Sequence, residues 1–218
     1  EDIDEIIGRY YDPSEFIDYK TDAEKPLPMI FQSGYLTIKS CNIRHNTFLL
    51  DFPNNEVRKG FVTLIANNYL QSKVDTGNWT LDVVTALESG NLELFRKLLT
   101  GFLADIPYSM RRKDTERERE RYFHYTFYLL LRMISCYTVY TEKEQSEGRV
   151  DCIVEVPGYV YIFEFKLDGT AAEALAQIES KGYARPYAAD PRRLYRIGVS
   201  FSSDTGTVED WEVSTQEN

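Results

Sequence analysis

Cysteine and histidine are scarce in this sequence, and their spacing matches no common metal or disulfide pattern. The 218 residues include two histidines and three cysteines, Cys41, Cys136 and Cys152. The cysteines are odd in number and far apart, without a C-x-x-C pair, which argues against a disulfide framework or a zinc site. Such usage fits a reducing compartment. We therefore expect a cytoplasmic protein whose cysteines are core residues.

Long hydrophobic runs are also missing. The longest apolar-rich stretch, residues 122–137, is broken by His124 and Arg132, whereas a membrane helix needs about 18 or more apolar residues in succession. The chain opens Glu1-Asp2-Ile3-Asp4, with neither an initiator methionine nor a basic-then-apolar leader. These absences predict no transmembrane span and no secretory signal, and they indicate a piece cut from a longer protein.

Two common catalytic signatures are absent as well. The sequence has no G-x-x-x-x-G-K-[ST] loop for binding the phosphates of ATP and no G-x-S-x-G nucleophile elbow. We therefore expect any ATP-driven motor to lie upstream of this chain.

An excess of basic residues is missing too, because 35 acidic side chains outnumber 25 basic ones and the net charge is −10. Long-range electrostatics would repel a polyanion such as nucleic acid, so any such contact must depend on local cations. The sequence has two basic clusters, and the first alternates with acids in the way typical of a solvated helix face. They are Arg111, Arg112, Lys113, Arg117, Arg119 and Arg121, and then Arg185, Arg192, Arg193 and Arg196.

A hydrophobic content of 43% allows a sizeable core, and the pattern predicts two parts. In residues 1–76 the pattern predicts a small helix and β-hairpin module. One helix ends near Ser33-Gly34, and a second helix follows residues 53–56. The turn-like Asp75–Asn78 segment marks the boundary. The hairpin strands are predicted at 35–39 and 48–51.

In residues 77–218 the pattern predicts a larger α/β domain in which helices come first and strands follow. Helices are predicted at 80–88, 91–104, 115–137 and 170–182, and strands at 149–156, 159–166, 194–201 and near 207–213.

The strand predicted at residues 159–166 contains the strongest chemical signal. Its side chains alternate, so Glu164 and Lys166 share one face with Val160 and Ile162, and the aromatic side chains share the other. A strand that is apolar on both faces is expected to be covered on both. An unpaired charge is costly in such a place, which indicates that Glu164 and Lys166 have a function there.

The hairpin that precedes these residues predicts a pair of acids. If the loop is symmetric about Pro157-Gly158, opposing residue numbers sum to 315, and Asp151 faces Glu164 on the same side of the sheet. Directly opposed side chains have Cβ atoms roughly 4.5–5.5 Å apart, so like charges there call for a proton or a cation between them. A loop of odd length would instead turn Asp151 to the other face.

A second interpretation of the same spacing needs no metal. Asp151, Arg149, Glu164 and Lys166 could form a cross-strand ladder of ion pairs on an exposed hairpin, with no catalytic role. The spacing by itself leaves both interpretations open.

The sequence around these residues resembles the PD-(D/E)XK nuclease domain found at the C-terminus of bacterial AAA-ATPase-like proteins. The resemblance rests on residues 148–151 and 161–168, continues through 174–178, 181–183 and 197–201, and extends upstream to 32–38 and 53–58. The upstream segments resemble the part of that family between the ATPase core and the nuclease domain. The sequence departs from the family pattern at Val150, where the superfamily name has proline, and in the spacing of Gln177 and Tyr183, which is wider than Q-x-x-x-Y.

The resemblance implies an α/β fold with a restriction-endonuclease-like core, a central mixed sheet flanked by helices, behind the small front module. It implies a nuclease that hydrolyses phosphodiester bonds of DNA or RNA with Mg²⁺ or Mn²⁺. Asp151, Glu164 and the main-chain carbonyl of Phe165 would bind the metal, and Lys166 would orient or deprotonate the attacking water. These roles agree with the preference of Mg²⁺ for a few hard oxygen ligands. An upstream ATPase domain of the same protein is the implied partner.

Further site residues are expected on the two neighbouring helices. Gln177 and Lys181 lie on the flank of the apolar stripe of the later helix and either reach the site or are polar border residues. On the earlier helix Glu120 and His124 share one face, which suits the family's habit of supplying an additional acidic ligand from this helix. Glu120 also belongs to the alternating charge run, and a lone histidine on an apolar helix is often a core residue.

A function of another class competes with the nuclease. In it the domain has no catalytic activity and is a docking platform beside the ATPase, which the acidic composition supports.

Overall fold

A computed structural model describes residues 6–17, 26–107, 109, 115–134, 138–145 and 148–216. The chain forms two compact units, residues 1–62 and residues 63–218, and the boundary between them in the sequence falls within a helix. Each unit has its own sheet.

The first unit contains a three-stranded antiparallel sheet in the order β1-β3-β2. The predicted hairpin is confirmed, and so are the helices on either side of it. A short strand and a one-turn helix at the start were not predicted, because both are too short for a periodic pattern. The elements are β1 (Arg9–Tyr11), α1 (Pro13–Phe16), α2 (Leu27–Gln32), β2 (Thr37–Asn42), β3 (Thr47–Asp51) and the start of α3 (Asn55–Leu70).

Aromatic rings contribute to the core of the first unit beside aliphatic residues. Phe16 packs against Phe31 and Phe48, with ring centroids 4.8 and 6.1 Å apart, and Phe52 packs against Phe61 at 5.5 Å. Each buried aromatic ring removes a large apolar area from water, which compensates for the small size of the unit.

The second unit begins with helices α4 (Thr76–Glu88), α5 (Leu92–Asp105) and α6 (Glu116–Arg132). The predicted start of α4 at residue 80 was wrong. Asp75 is the N-cap, and its carboxylate accepts hydrogen bonds from the amides of Gly77 and Asn78, so the turn-like residues form the first turn of the helix. The helix α6 opens with the capping box of Thr115 and Glu118.

The large sheet has five strands in the order β4-β5-β6-β7-β8. All neighbours are antiparallel except β6 and β7, which are parallel and are connected through α7 (Ala171–Ser180). The predicted mixed α/β fold with a restriction-endonuclease-like core is confirmed. The strands are β4 (Thr138–Gln145), β5 (Gly148–Val156), β6 (Tyr159–Leu167), β7 (Arg193–Phe201) and β8 (Val208–Gln216).

The first strand of the large sheet, β4, was not predicted. Its second half is polar, ending Glu142-Lys143-Glu144-Gln145, and β4 is the edge strand of the sheet, next to β5. Charged side chains are common on edge strands because they discourage pairing with other chains, and they also hide the apolar alternation that identifies a strand.

Helices cover the central strand β6 on both faces. On one face Phe127 of α6 packs against Phe163 and Phe165, with centroids 5.3 and 4.3 Å apart. On the other face Ile178 of α7 lies in a buried cluster with Ile153 and Ile162. The predicted burial of β6 on both sides is confirmed, and it places the end of this strand in a low-dielectric environment.

The second basic cluster of the sequence is largely paired within the fold. Arg192 binds Asp190 and Glu155, at 2.5 and 2.8 Å, and the hydrogen bond from Arg192 lowers the pKa of Asp190 to about 2. Arg196 lies 3.7 Å from Glu179. These arginines therefore hold the start of β7 against its neighbours.

None of the helices in the described ranges combines the length and apolar character that crossing a membrane requires.

Candidate active site

The β5–β6 hairpin has the register that the sequence predicts. A two-residue turn, Pro157-Gly158, joins the strands, and the paired residues from Val156–Tyr159 to Cys152–Phe163 all sum to 315. The alternative of an odd-length loop is therefore wrong. The next position along the two strands is that of Asp151 and Glu164.

Asp151 lies where the regular pairing of β5 with β6 ends. Its Oδ2 atom accepts a hydrogen bond from the backbone amide of Phe165, at 2.9 Å. This bond holds the carboxylate against the C-terminal part of β6, beside the residue that follows Glu164. The ring of Phe165 lies on the opposite face, against Phe127 and His124.

Glu164 is an almost fully buried carboxylate, with 1% of its surface exposed. Its Oε1 atom accepts a hydrogen bond from the side-chain amide of Gln177. Its Oε2 atom is buried and has no hydrogen-bond partner among the described residues. Burying a carboxylate oxygen without a partner costs free energy, and a ligand bound there would supply the missing partner.

Burial, and after it the nearby negative charge of Asp151, raise the pKa of Glu164 to about 8. The positive charge of Lys166 and the backbone amide of Asp151 oppose this rise but do not cancel it. The two carboxylates are therefore close enough to repel each other, and the charge of Glu164 is incompletely neutralised.

Lys166 and Gln177 complete the polar group around Glu164. The Nζ atom of Lys166 donates to Oε1 of Gln177 at 2.7 Å and lies 4.0 Å from Oε1 of Glu164. Gln177 thus bridges the acid and the base. Lys166 is partly exposed, with 31% of its side chain open to solvent.

The interpretation of these residues as an exposed salt-bridge ladder does not fit the burial of Glu164. The strand that carries it is covered by helices on both faces, as described above, whereas a surface ladder needs both strands exposed on one side. The side chain of Arg149, which that interpretation also used, lies outside the described residues.

The other predicted candidates are placed differently. The side chain of Glu120 lies outside the described residues, although its backbone is part of α6. His124 packs edge-on against the ring of Phe165, with centroids 5.5 Å apart, on the face of β6 opposite Glu164. Lys181 is the exposed C-cap of α7, and Tyr183 is buried in the core cluster.

The contacts that hold the start of α7 against the sheet were not predicted from the sequence. The amide of Ala171 donates to Oδ2 of Asp210 in β8 at 3.0 Å, and Oγ of Ser200 in β7 donates to the carbonyl of Gly169 at 2.8 Å. An isolated glycine within the strand pattern Ile197-Gly198-Val199 is the signal that could have indicated a close backbone approach there.

The donor set suits a hard divalent cation. Among the described residues no group of three or more His, Cys, Asp or Glu side chains is placed to enclose a metal ion, which excludes a site built wholly from such side chains in this part of the chain. Two carboxylates, one of them buried with a free oxygen, match Mg²⁺, which typically binds one or two protein carboxylates and keeps water or substrate oxygens.

The fold is a mixed sheet, and the site consists of two neighbouring acids and a lysine at the ends of its central strands. Together these features define a class of protein. Residues 118–211 match the family model of the PD-(D/E)XK nuclease superfamily. These residues therefore form a domain of that superfamily, whose members generally use divalent metals.

The chain is also similar to a protein of Azotobacter chroococcum mcd 1 described as "Uncharacterized protein in vnfD 5'region". The two are 31% identical over 184 residues, which make up 83% of this chain and 36% of the relative. The chain thus spans about a third of the length of the relative that it matches.

Proposed function

We propose that this protein is a divalent-metal-dependent nuclease that hydrolyses phosphodiester bonds of DNA or RNA. The observation that carries the proposal is the buried Glu164 carboxylate, which has an unpartnered oxygen and lies between Asp151 and Lys166. The match of residues 118–211 to a nuclease superfamily supports the same function.

In this proposal Asp151, Glu164 and the main-chain carbonyl of Phe165 hold one Mg²⁺ or Mn²⁺ ion, and Glu120 of α6 is a further acidic ligand. A bound divalent cation would polarise the phosphate and lower the pKa of a water molecule. Because both carboxylates belong to neighbouring rigid strands, the site is held by the sheet rather than by a loop.

In this proposal Lys166 has two roles in the reaction. Its partly exposed amine orients or deprotonates the attacking water and stabilises negative charge that develops on the phosphoryl oxygens. Gln177 holds the amine through its carbonyl oxygen and Glu164 through its amide, so it keeps the lysine from folding onto the acid.

We further propose that the domain belongs to a longer AAA-ATPase-like protein in which residues 1–76 connect an upstream ATPase domain to the nuclease domain. Two observations support this. Residues 32–38 and 53–58 resemble the corresponding connecting segment of such proteins, and the chain spans only 36% of its relative from Azotobacter.

The test is cleavage of a panel of single-stranded, double-stranded and branched DNA and RNA in the presence of Mg²⁺ or Mn²⁺. We expect cleavage of at least one class of substrate and none after chelation of the metal. Absence of cleavage for every substrate with either metal would favour the competing function, a catalytically inactive docking domain, which the net charge of −10 supports.

Besides Lys166, Arg119 is a cation that acts on a carboxylate close to the site, Asp168. Arg119 lies on α6 one turn before Phe123, whose ring stacks on Phe201 at the C-terminal end of β7 at 5.3 Å. The pKa of Asp168, two residues after Lys166, is lowered first by hydrogen bonds from Ser203 and also by the charge of Arg119. The Nε atom of Arg119 is buried without a hydrogen-bond partner among the described residues.

Replacing Arg119 by glutamine is therefore expected to weaken nucleic-acid binding and to reduce the slope of log K against log salt by about 1, because one phosphate contact is lost. Binding is measured by fluorescence anisotropy in Ca²⁺ at several salt concentrations. Arg117→Gln is the matched control, since it removes the same charge two residues away, on the opposite side of the helix. Equal effects of the two substitutions would show that only overall charge matters.

A further inference from the structure

Gly198 of β7 lies beside the candidate site, in register with Glu164 of β6 and with Glu212 of β8. It is on the sheet face that α7 covers. None of the roles given above to the site residues involves Gly198, and its place next to the buried acid raises the question of why this position has no side chain.

The backbone of α7 occupies the space that a side chain at position 198 would need. A Cβ atom built on Gly198 would lie 2.1 Å from the carbonyl oxygen of Ala171 and 2.8 Å from the amide nitrogen of Leu175. Both are backbone atoms, so no rotamer change can relieve the overlap. The helix must move outward by about 1 Å or more to reach ordinary van der Waals separation.

The first turn of α7 has little freedom to make that movement. Asp210 holds the amide of Ala171, and Ser200 holds the carbonyl of Gly169, as described above. An outward shift of the helix therefore either breaks these bonds or tilts the helix about its fastened start. Gln177 is six residues beyond Ala171, about 9 Å along the axis, so either movement displaces it.

We propose that Gly198 is a positioning residue of the site: by allowing α7 to lie directly on β7, it holds Gln177 between Glu164 and Lys166. The effect on catalysis rests on the proposed nuclease function, whereas the effect on the position of Gln177 does not. The hydrogen bonds of Gln177 depend on distances that a shift of 1 Å destroys.

The first measurement follows the side-chain amide of Gln177 by NMR, with the resonance identified by its loss in Gln177→Ala. In Gly198→Ala we expect this resonance to move to the position of a solvent-exposed glutamine amide. An unchanged resonance in folded Gly198→Ala would overturn the proposal. This readout needs neither metal nor substrate, so it remains decisive even if the wild-type protein proves inactive.

The second measurement is a double-mutant cycle on Mn²⁺ affinity and cleavage rate, with Gly198→Ala, Gln177→Ala and the double variant. Each single variant is expected to lower both quantities by about tenfold or more, as for other residues that orient metal ligands. The double variant should be no worse than the more impaired single variant, because Gly198 acts through Gln177. Additive losses would mean that Gly198 serves packing alone and would overturn the proposal.

Gly101→Ala is the matched control, because a Cβ atom at this exposed position of α5 meets nothing within 4 Å. It should leave the amide resonance, the metal affinity and the cleavage rate unchanged.

If Gly198→Ala does not fold, Asp210→Ala loosens the start of α7 without adding volume. In that variant a displaced Gln177 resonance supports the proposal, and an unchanged one overturns it.

Discussion

Replacing Lys166 by alanine is expected to lower the cleavage rate by about 10²- to 10⁴-fold, the usual effect of losing a general base or a single charge-stabilising donor. The Nζ atom of Lys166 lies 4.0 Å from Oε1 of Glu164, and the lysine side chain is partly open to solvent. The fold should tolerate the change, because Gln177 keeps its bond to Glu164 and water can replace the lost donor.

The comparison needs a lysine that has the same charge and no contact with the site. Lys97 of α5 is suitable, since 71% of its side chain is exposed and it pairs with Glu93 one turn away. Lys97→Ala should cleave at the wild-type rate. If wild type and Lys166→Ala cleave equally fast, the activity arises elsewhere and the proposed site is wrong.

The second large effect is expected in the stability of the folded protein when a divalent cation is added. A cation that binds only the native state stabilises it by RT ln(1 + [L]/Kd), about 2.7 kcal/mol at a hundredfold excess over Kd. Thermal melting with Mn²⁺ and Mg²⁺ at several concentrations measures this gain. Glu164→Gln and Asp151→Asn should each abolish it, because each removes one of the paired negative charges.

Without metal the same substitutions should leave the protein as stable as wild type or more stable. Wild-type Glu164 is buried and repelled by Asp151, and an amide at either position removes the repulsion. The hydrogen bond from the Phe165 amide can be kept by the Oδ1 atom of an asparagine at position 151. A ladder of ion pairs predicts the reverse: both variants less stable, and no response to metal in any of them. That outcome would favour the docking-domain function.

The pH dependence of this difference has a definite sign. The pKa of Glu164 rises from its ordinary value of 4.5 to about 8 on folding, so between these values the native state binds more protons than the unfolded state. The free energy of unfolding of the metal-free protein therefore falls as the pH increases through this window. Below it Glu164 is protonated in both states and costs nothing.

The advantage of Glu164→Gln should accordingly be small at pH 5 and largest at pH 8 and above, on the order of a few kcal/mol. Urea unfolding without metal at pH 5, 6.5 and 8 measures it. Glu93→Gln is the control, since 68% of the Glu93 side chain is exposed. A Glu164→Gln advantage that does not change with pH would contradict the raised pKa.

Much of the local structure could be predicted because it depends on neighbouring residues. The two-residue alternation predicts the hairpin, a loop symmetric about Pro157-Gly158 predicts its register, and the capping box of Thr170 and Glu173 predicts the start of α7. The sequence left a loop of odd length open, and only the structure excluded it. The prediction was wrong where polar residues conceal a pattern, as in the edge strand β4, or where a capping side chain begins a helix inside an apparent turn, as at Asp75.

The sequence by itself determined that Glu164 and Lys166 share one face of a strand, because side-chain alternation is local geometry, and a symmetric two-residue turn places Asp151 opposite Glu164. Only the tertiary structure decided which helices bury Glu164 and that Gln177 reaches it. Burial depends on α6 and α7, which cover β6 from both sides, and the reach of Gln177 depends on the close approach of α7 to Gly198. These contacts join residues far apart in the chain, and no periodicity within a single segment encodes them.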